Sequence, residues 1–131
     1  MSALSPSGVV TFADGLPGFE GARQFVLVTS ATIEPFTIIQ GTDEGGPSFV
    51  AIDPHRVAPG FRPALEAADR ARLGEPGDGP LLWLALVTAR PRTDATVNLR
   101  APLVINPASM RGIQVVPAES PYTIDHPLPA V

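Results

Sequence analysis

The sequence predicts an all-β fold: a small antiparallel pseudo-barrel of about seven or more short strands capped by one short α-helix. Three observations predict it. Short runs of β-branched and aromatic residues recur along the chain, each closed by a glycine or proline break. Val97, Leu99, Ala101, Leu103 and Ile105 alternate with more polar neighbours, the period of a half-buried strand. A single stretch, residues 63–73, carries the marks of a helix.

In order, residues 1–8 are small and polar and are expected to be a disordered N-terminus; 9–131 are expected to form one domain. Val9–Phe12 is the first strand. Asp14-Gly15-Leu16-Pro17-Gly18-Phe19-Glu20-Gly21 follows and reads as a rigid double turn. Its glycines permit positive φ, Pro17 fixes its own φ, and Leu16 and Phe19 should turn back into the body as anchors. Strands are expected at 24–29, 36–40 and 48–52. Asp53-Pro54 should end the last of these in a turn.

The helix is expected from Pro63 to Leu73, with Pro63 at the first helical position, Glu66 and Arg70 spaced for an ion pair, and Gly74 as the stop. Leu81–Thr88 is apolar on both parities and reads as a strand buried on both faces. Pro91–Asp94 should turn. Pro102 interrupts the alternating segment, so two strands should meet there at a bend. Strands at 113–116 and at Tyr122–Ile124 complete the set.

Composition narrows the chemistry. The 131 residues hold no cysteine, which excludes disulfides and thiolate metal sites. The net charge is −4 and all nine basic residues are arginine. Without lysine there is no Schiff-base chemistry and no flexible basic carpet for nucleic acid. An acidic chain is repelled by phosphate and attracted to basic proteins, so the expected partner is a protein. Met1–Ser5 does not read as a signal peptide, and the longest apolar run, Leu81–Val87, falls short of the ~20 residues of a membrane helix. A cytoplasmic location is expected.

Asp53 and His55, with His126 far along the chain, are the nearest approach to a metal or catalytic set. No paired histidine spacing accompanies them. No serine lies in G-x-S-x-G, and Ser48, Ser109 and Ser120 read as turn residues. Asp43-Glu44 lacks the alternating ligands of a calcium loop. Gly15, Gly18 and Gly21 could suggest a phosphate cradle, but Pro17 removes one of its N–H groups. Phe25, Phe36 and Phe49 lie in apolar runs and read as core, not as base-stacking platforms. A protein-binding module remains, with no cofactor. The alternative is a small-molecule-binding β-barrel, or a small hydrolase using Asp53 and His55.

Five ordered blocks then resemble the FliW flagellar assembly factors. They are Thr11–Glu20, which carries F-x-x-G-L-P-G-F; Phe49–Pro54; Asn98–Asn106; Arg111–Val115; and Tyr122–Leu128. The resemblance implies a β pseudo-barrel with a helical cap and no enzymatic activity. It implies binding to the translational repressor CsrA and, in competition, to flagellin; flagellin export would free the protein to relieve CsrA's repression of flagellin mRNA. It implies action away from the RNA site of CsrA, hence by linkage; the acidic charge adds direct repulsion of RNA as a second expected term. A monomer is expected.

Gly15, Leu16, Pro17, Gly18, Phe19, Asp53, Pro54, Asn98, Pro102, Asn106 and Gly112 are read as structural motif residues. The loop Asp53–Phe61 and the tail Tyr122–Leu128 offer contact surface. Their candidate partner-binding residues are His55, Phe61, Tyr122, Ile124, His126 and Pro127. Two departures from the family pattern stand out. An additional strand usually precedes the first block; residues 1–8 are too short and too rich in proline and serine for it, so either one barrel edge is expected to be open or the start is misassigned. The helix region is also rich in alanine where the family is acidic.

Overall fold

The structure, a computed structural model, describes residues 8–16, 18–90, 93–117 and 119–128. Among the described residues nine strands are seen: β1 Val9–Phe12, β2 Gln24–Val28, β3 Phe36–Gly41, β4 Ser48–Ile52, β5 Leu82–Arg90, β6 Thr93–Val97, β7 Leu103–Asn106, β8 Arg111–Gln114 and β9 His126–Pro127. Two short helices, α1 Pro54–Val57 and α2 Ala67–Arg72, lie between β4 and β5. The strand order β4-β3-β2-β1-β8-β7-β5 closes on itself through β4–β5, giving a seven-stranded barrel. β6 and β9 extend it from β5.

The pairing is not wholly antiparallel. Thr11 and Phe12 pair with Arg111 and Gly112 in parallel, while β1 pairs β2 on its other side. Both edges of β1 are therefore occupied, and the barrel has no open edge there. Gly112 permits the contact: a Cβ on it would lie 2.6 Å from the Phe12 ring.

The inside of the barrel is packed, not hollow. Val10, Phe12, Phe25, Ile39, Leu84, Leu103 and Ile105 fill it, all at most 3% exposed. Phe12 and Phe25 meet edge to face with centroids 5.7 Å apart. Full burial of one such side chain is worth about 1.5–3 kcal/mol.

Outside, two further apolar clusters form. Leu73, Val104, Ile113 and Val115 make one, with Leu65 and Trp83 against it. This is why β7 is buried on both faces despite its alternating sequence: Leu103 and Ile105 face in, while Val104 lies beneath the end of α2. Asn106 Nδ2 and Ser109 Oγ each donate to the Leu73 carbonyl at 2.7 Å and pin that end down.

The helical region differs from the expected one. The described residues hold two helices, not one. Asp53-Pro54 does not simply turn but opens α1, with Pro54 in its first turn. α2 begins at Ala67 rather than Pro63 because Glu66 and Asp69 form a reciprocal capping box there. That role replaces the Glu66–Arg70 ion pair; Arg70 Nη1 donates instead to the Gly77 carbonyl. The expected strand at Tyr122–Ile124 is also displaced: Thr96 and Val97 pair with Pro127 and His126.

The glycine turn carries three successive main-chain bonds, Gly15 N to Phe12 O, Phe19 N to Leu16 O and Ala22 N to Phe19 O. Gly15 (φ +69°) and Gly18 (φ +79°) are both left-handed. Leu16 is buried, but Phe19 is 47% exposed and touches the ring of Phe49 instead of entering the core. Pro17 lies outside the described residues, as do 1–7 of the expected disordered terminus.

Candidate functional site

The loop 53–61 and the tail 122–128 come together on the outer face of β4, β5 and β6. Asp53 starts the loop: its Oδ1 accepts from His55 N at 2.9 Å, capping α1, and lies 2.9 Å from His55 Nδ1. Phe61 N donates to the Ala58 carbonyl, curling the chain back over the sheet. Phe61 then sits at the centre of the site, 2% exposed, packed with Ile52, Ala85, Val97 and Leu99.

Three rings surround Phe61. Tyr122 is nearest at 4.7 Å between centroids, His55 stands edge-on at 5.6 Å, and Trp83 is at 6.4 Å. Tyr122 Oη accepts from Arg62 N at 2.9 Å. The tail is held by main-chain bonds: the Thr123 carbonyl accepts from Leu99 N and Arg100 N, and Leu128 N donates to the Ala95 carbonyl.

The candidate contacts therefore divide. Phe61 is not available on the surface; it is the buried peg on which loop and tail meet. Tyr122 and His126 are half-buried, the latter in the β6–β9 ladder. His55 and Pro127 are exposed, and Ile124 is 64% exposed. These form the solvent face of the site. Beside it a cleft of about 90 Å³ runs between residues 61–64 and residues 117 and 119–122, lined by Phe61, Pro63, Pro102, Pro117 and Tyr122 among others.

Asn98 and Asn106 work on the backbone. Asn98 Oδ1 accepts from Arg100 N and Ala101 N across the bend between β6 and β7. Asn106 Oδ1 accepts from Ala108 N. Pro102 is buried in that bend, and its carbonyl accepts from Val115 N.

Chemically, Asp53 is engaged as a helix cap, and no group of three or more metal-ligating side chains exists among the described residues. His55 has Asp53 and the Phe61 ring about it, an arrangement that fixes the imidazole without supplying a nucleophile. Among the described residues no helix is long and apolar enough to cross a membrane.

A second surface was not foreseen. Val28 pairs Ile38, Ile38 pairs Val50 and Val50 pairs Val87, so one apolar row crosses the outside of four strands. Val28 and Val50 are 41% and 43% exposed. The sequence showed the β-branched residues but not the register that aligns them.

These features define a class: a small, closed and solidly packed β-barrel, roofed by two short helices, whose outer faces carry apolar rows and clefts. Comparison with known proteins narrows it. The family model "FliW protein" matches residues 2–128, and the chain belongs to the FliW family. It is 39% identical over 127 residues to the flagellar assembly factor FliW of Syntrophotalea carbinolica, covering 97% of this chain and 91% of that one. The protein of the same name from Anoxybacillus flavithermus is 36% identical, covering 95% and 86%. A solved structure described as the crystal structure of the flagellar assembly factor FliW superposes with a TM-score of 0.82 at 30% identity, covering 97% of this chain and 87% of that one.

Proposed function

We propose that this protein is a flagellar assembly factor that works in the cytoplasm by binding other polypeptides and catalyses no reaction. Its partners are a CsrA-type translational repressor and flagellin, which compete for it. While flagellin is abundant it occupies the protein. Once flagellin is exported, the protein sequesters the repressor and flagellin mRNA is translated.

The observation that carries this reading is family membership over residues 2–128, shared with relatives named as flagellar assembly factors. The surface agrees with it. Exposed apolar groups such as Ile124 and Val50 suit a polypeptide partner. The packed barrel interior and the capped Asp53 disfavour a small-molecule site or a hydrolase.

Antagonism of the repressor follows from linkage. A protein that prefers the RNA-free repressor lowers RNA affinity by the same factor by which RNA lowers its own. The test is binding of the purified protein to purified repressor and to flagellin, followed by competition. Each should bind, and flagellin should displace the repressor. A folded protein that binds neither overturns the proposal.

A further inference from the structure

β4 and β5 close the barrel over three pairs only, Val50 with Val87, Ala51 with Leu86 and Ile52 with Ala85. The same register would set Phe49 opposite Thr88 and Ser48 opposite Ala89. All four residues are in strands, yet the ladder stops at Val50. The divergence coincides with a register irregularity on the other side of β5. Pairing of β5 with β6 slips between Thr88 and Arg90, and a bulge bends the ribbon and raises its twist. Between the separating ends lies a cleft of about 550 Å³, lined by Phe36, Phe49, Val50, Val87, Ala95 and Leu128 among others.

Among the described residues, the β4–β5 ladder leaves backbone groups facing this cleft. The Leu86 carbonyl accepts from Asn98 N, on the β6 side of the strand. Successive residues of a strand direct their N–H and C=O to opposite edges. Ala89 therefore turns both groups toward β4, beyond the end of the ladder. On the other wall the Pro47 carbonyl accepts from Gly41 N, on the β3 side, so Ser48 turns its groups toward β5.

We infer that this seam takes an extended, uncharged segment of a partner polypeptide by strand addition. The segment's main chain pairs with the edge at Ala89 or Ser48, and an apolar side chain fills the cleft. The inference rests on the polypeptide-binding reading above and adds the chemistry of the segment bound.

Charge selects the occupant. The chain carries 13 acidic and 9 basic residues, but no described residue lining the cleft is charged. A charged side chain entering there would lose water and meet no counter-charge among the described residues. A second copy would bring a further net charge of −4 against the first. The occupant is a different polypeptide, presenting small and apolar residues in alternation.

Hydrogen exchange on the full chain tests this, alone and with purified flagellin or purified CsrA-type repressor. The amides of Ser48 and Ala89 should exchange rapidly in the free protein and roughly tenfold or more slowly in one of the complexes. Ala89→Pro, which deletes the inward N–H, should weaken that complex up to roughly tenfold while the circular dichroism spectrum is kept. A complex that forms without protecting the seam overturns the inference and leaves the proposed function standing. Absence of both complexes overturns the two together. Protection that appears in the free protein at high concentration and vanishes on dilution identifies a second copy as occupant and overturns the occupant named here.

Discussion

Arg62 and Tyr122, 60 residues apart, are joined by a hydrogen bond from the Arg62 amide to the Tyr122 hydroxyl, 2.9 Å long. It ties the loop after α1 to the C-terminal tail over the buried ring of Phe61. Tyr122→Phe removes the bond and keeps the ring, and because the site is solvent-exposed the loss should be about 1 kcal/mol or less. Tyr122→Ala also removes the ring contact with Phe61 and should cost more. Urea denaturation of the two variants separates bond from packing, and equal losses would contradict the arrangement.

The glycine turn gives a ranked prediction. Gly15 and Gly18 both have positive φ, but a Cβ at Gly15 would lie 2.6 Å from the Glu20 backbone, whereas Gly18 faces open space. Gly18→Ala should cost about 1–2 kcal/mol, the conformational term alone. Gly15→Ala should cost distinctly more, since backbone must move. Denaturation midpoints that rank the two the other way would refute the steric account.

The Leu73 carbonyl holds two donors, Asn106 Nδ2 and Ser109 Oγ. Asn106 is 3% exposed and makes a further bond to Ala108 N. Asn106→Ala should destabilise by about 2 kcal/mol and Ser109→Ala by less. The double variant should exceed the sum, because only then is the buried carbonyl left unpaired. A double-mutant cycle showing strict additivity would rule out the shared acceptor.

Arg72 and Asp14 form an ion pair between α2 and the glycine turn, with side chains 43% and 69% exposed. At that exposure, Asp14→Ala should change stability by less than about 1 kcal/mol, and the difference should shrink in high salt. Thermal melts at low and high ionic strength measure it. The proposed antagonism of a CsrA-type repressor can be followed under the same conditions. If acidic repulsion of RNA contributes, it should weaken as salt rises, and no change would leave linkage as the whole mechanism.

Much of the barrel was legible because local chemistry and tertiary packing agree. The glycine turn, the alternation around residues 96–106 and the bend at Pro102 are all set by nearby residues. The misreadings have identifiable causes. Pro63 looked like a helix start, but the Glu66–Asp69 capping box outweighs it. The short helix after Asp53 was written in its own signals, an Asp cap followed by proline, yet the same pair also fits a turn. Phe61 looked like contact surface because its loop offers aromatic, histidine and proline residues; only the three-dimensional meeting of loop and tail buries it. Tyr122–Ile124 has strand-forming residues, but the edge of β6 reaches His126 and Pro127 instead. Nor could one sequence show where β4 and β5 part, since strand register is set by tertiary pairing.

The parallel contact of Thr11 and Phe12 with Arg111 and Gly112 also bears on synthesis. A ribosome finishes the first four strands long before it makes the residues that complete the cylinder. A nascent chain ending ahead of Arg111 lacks β8, the strand that joins β1 to β7, so the cylinder around Phe12 and Phe25 stays open at that seam. It should melt gradually instead of in one sharp step, and compact folding should await release of nearly the whole polypeptide.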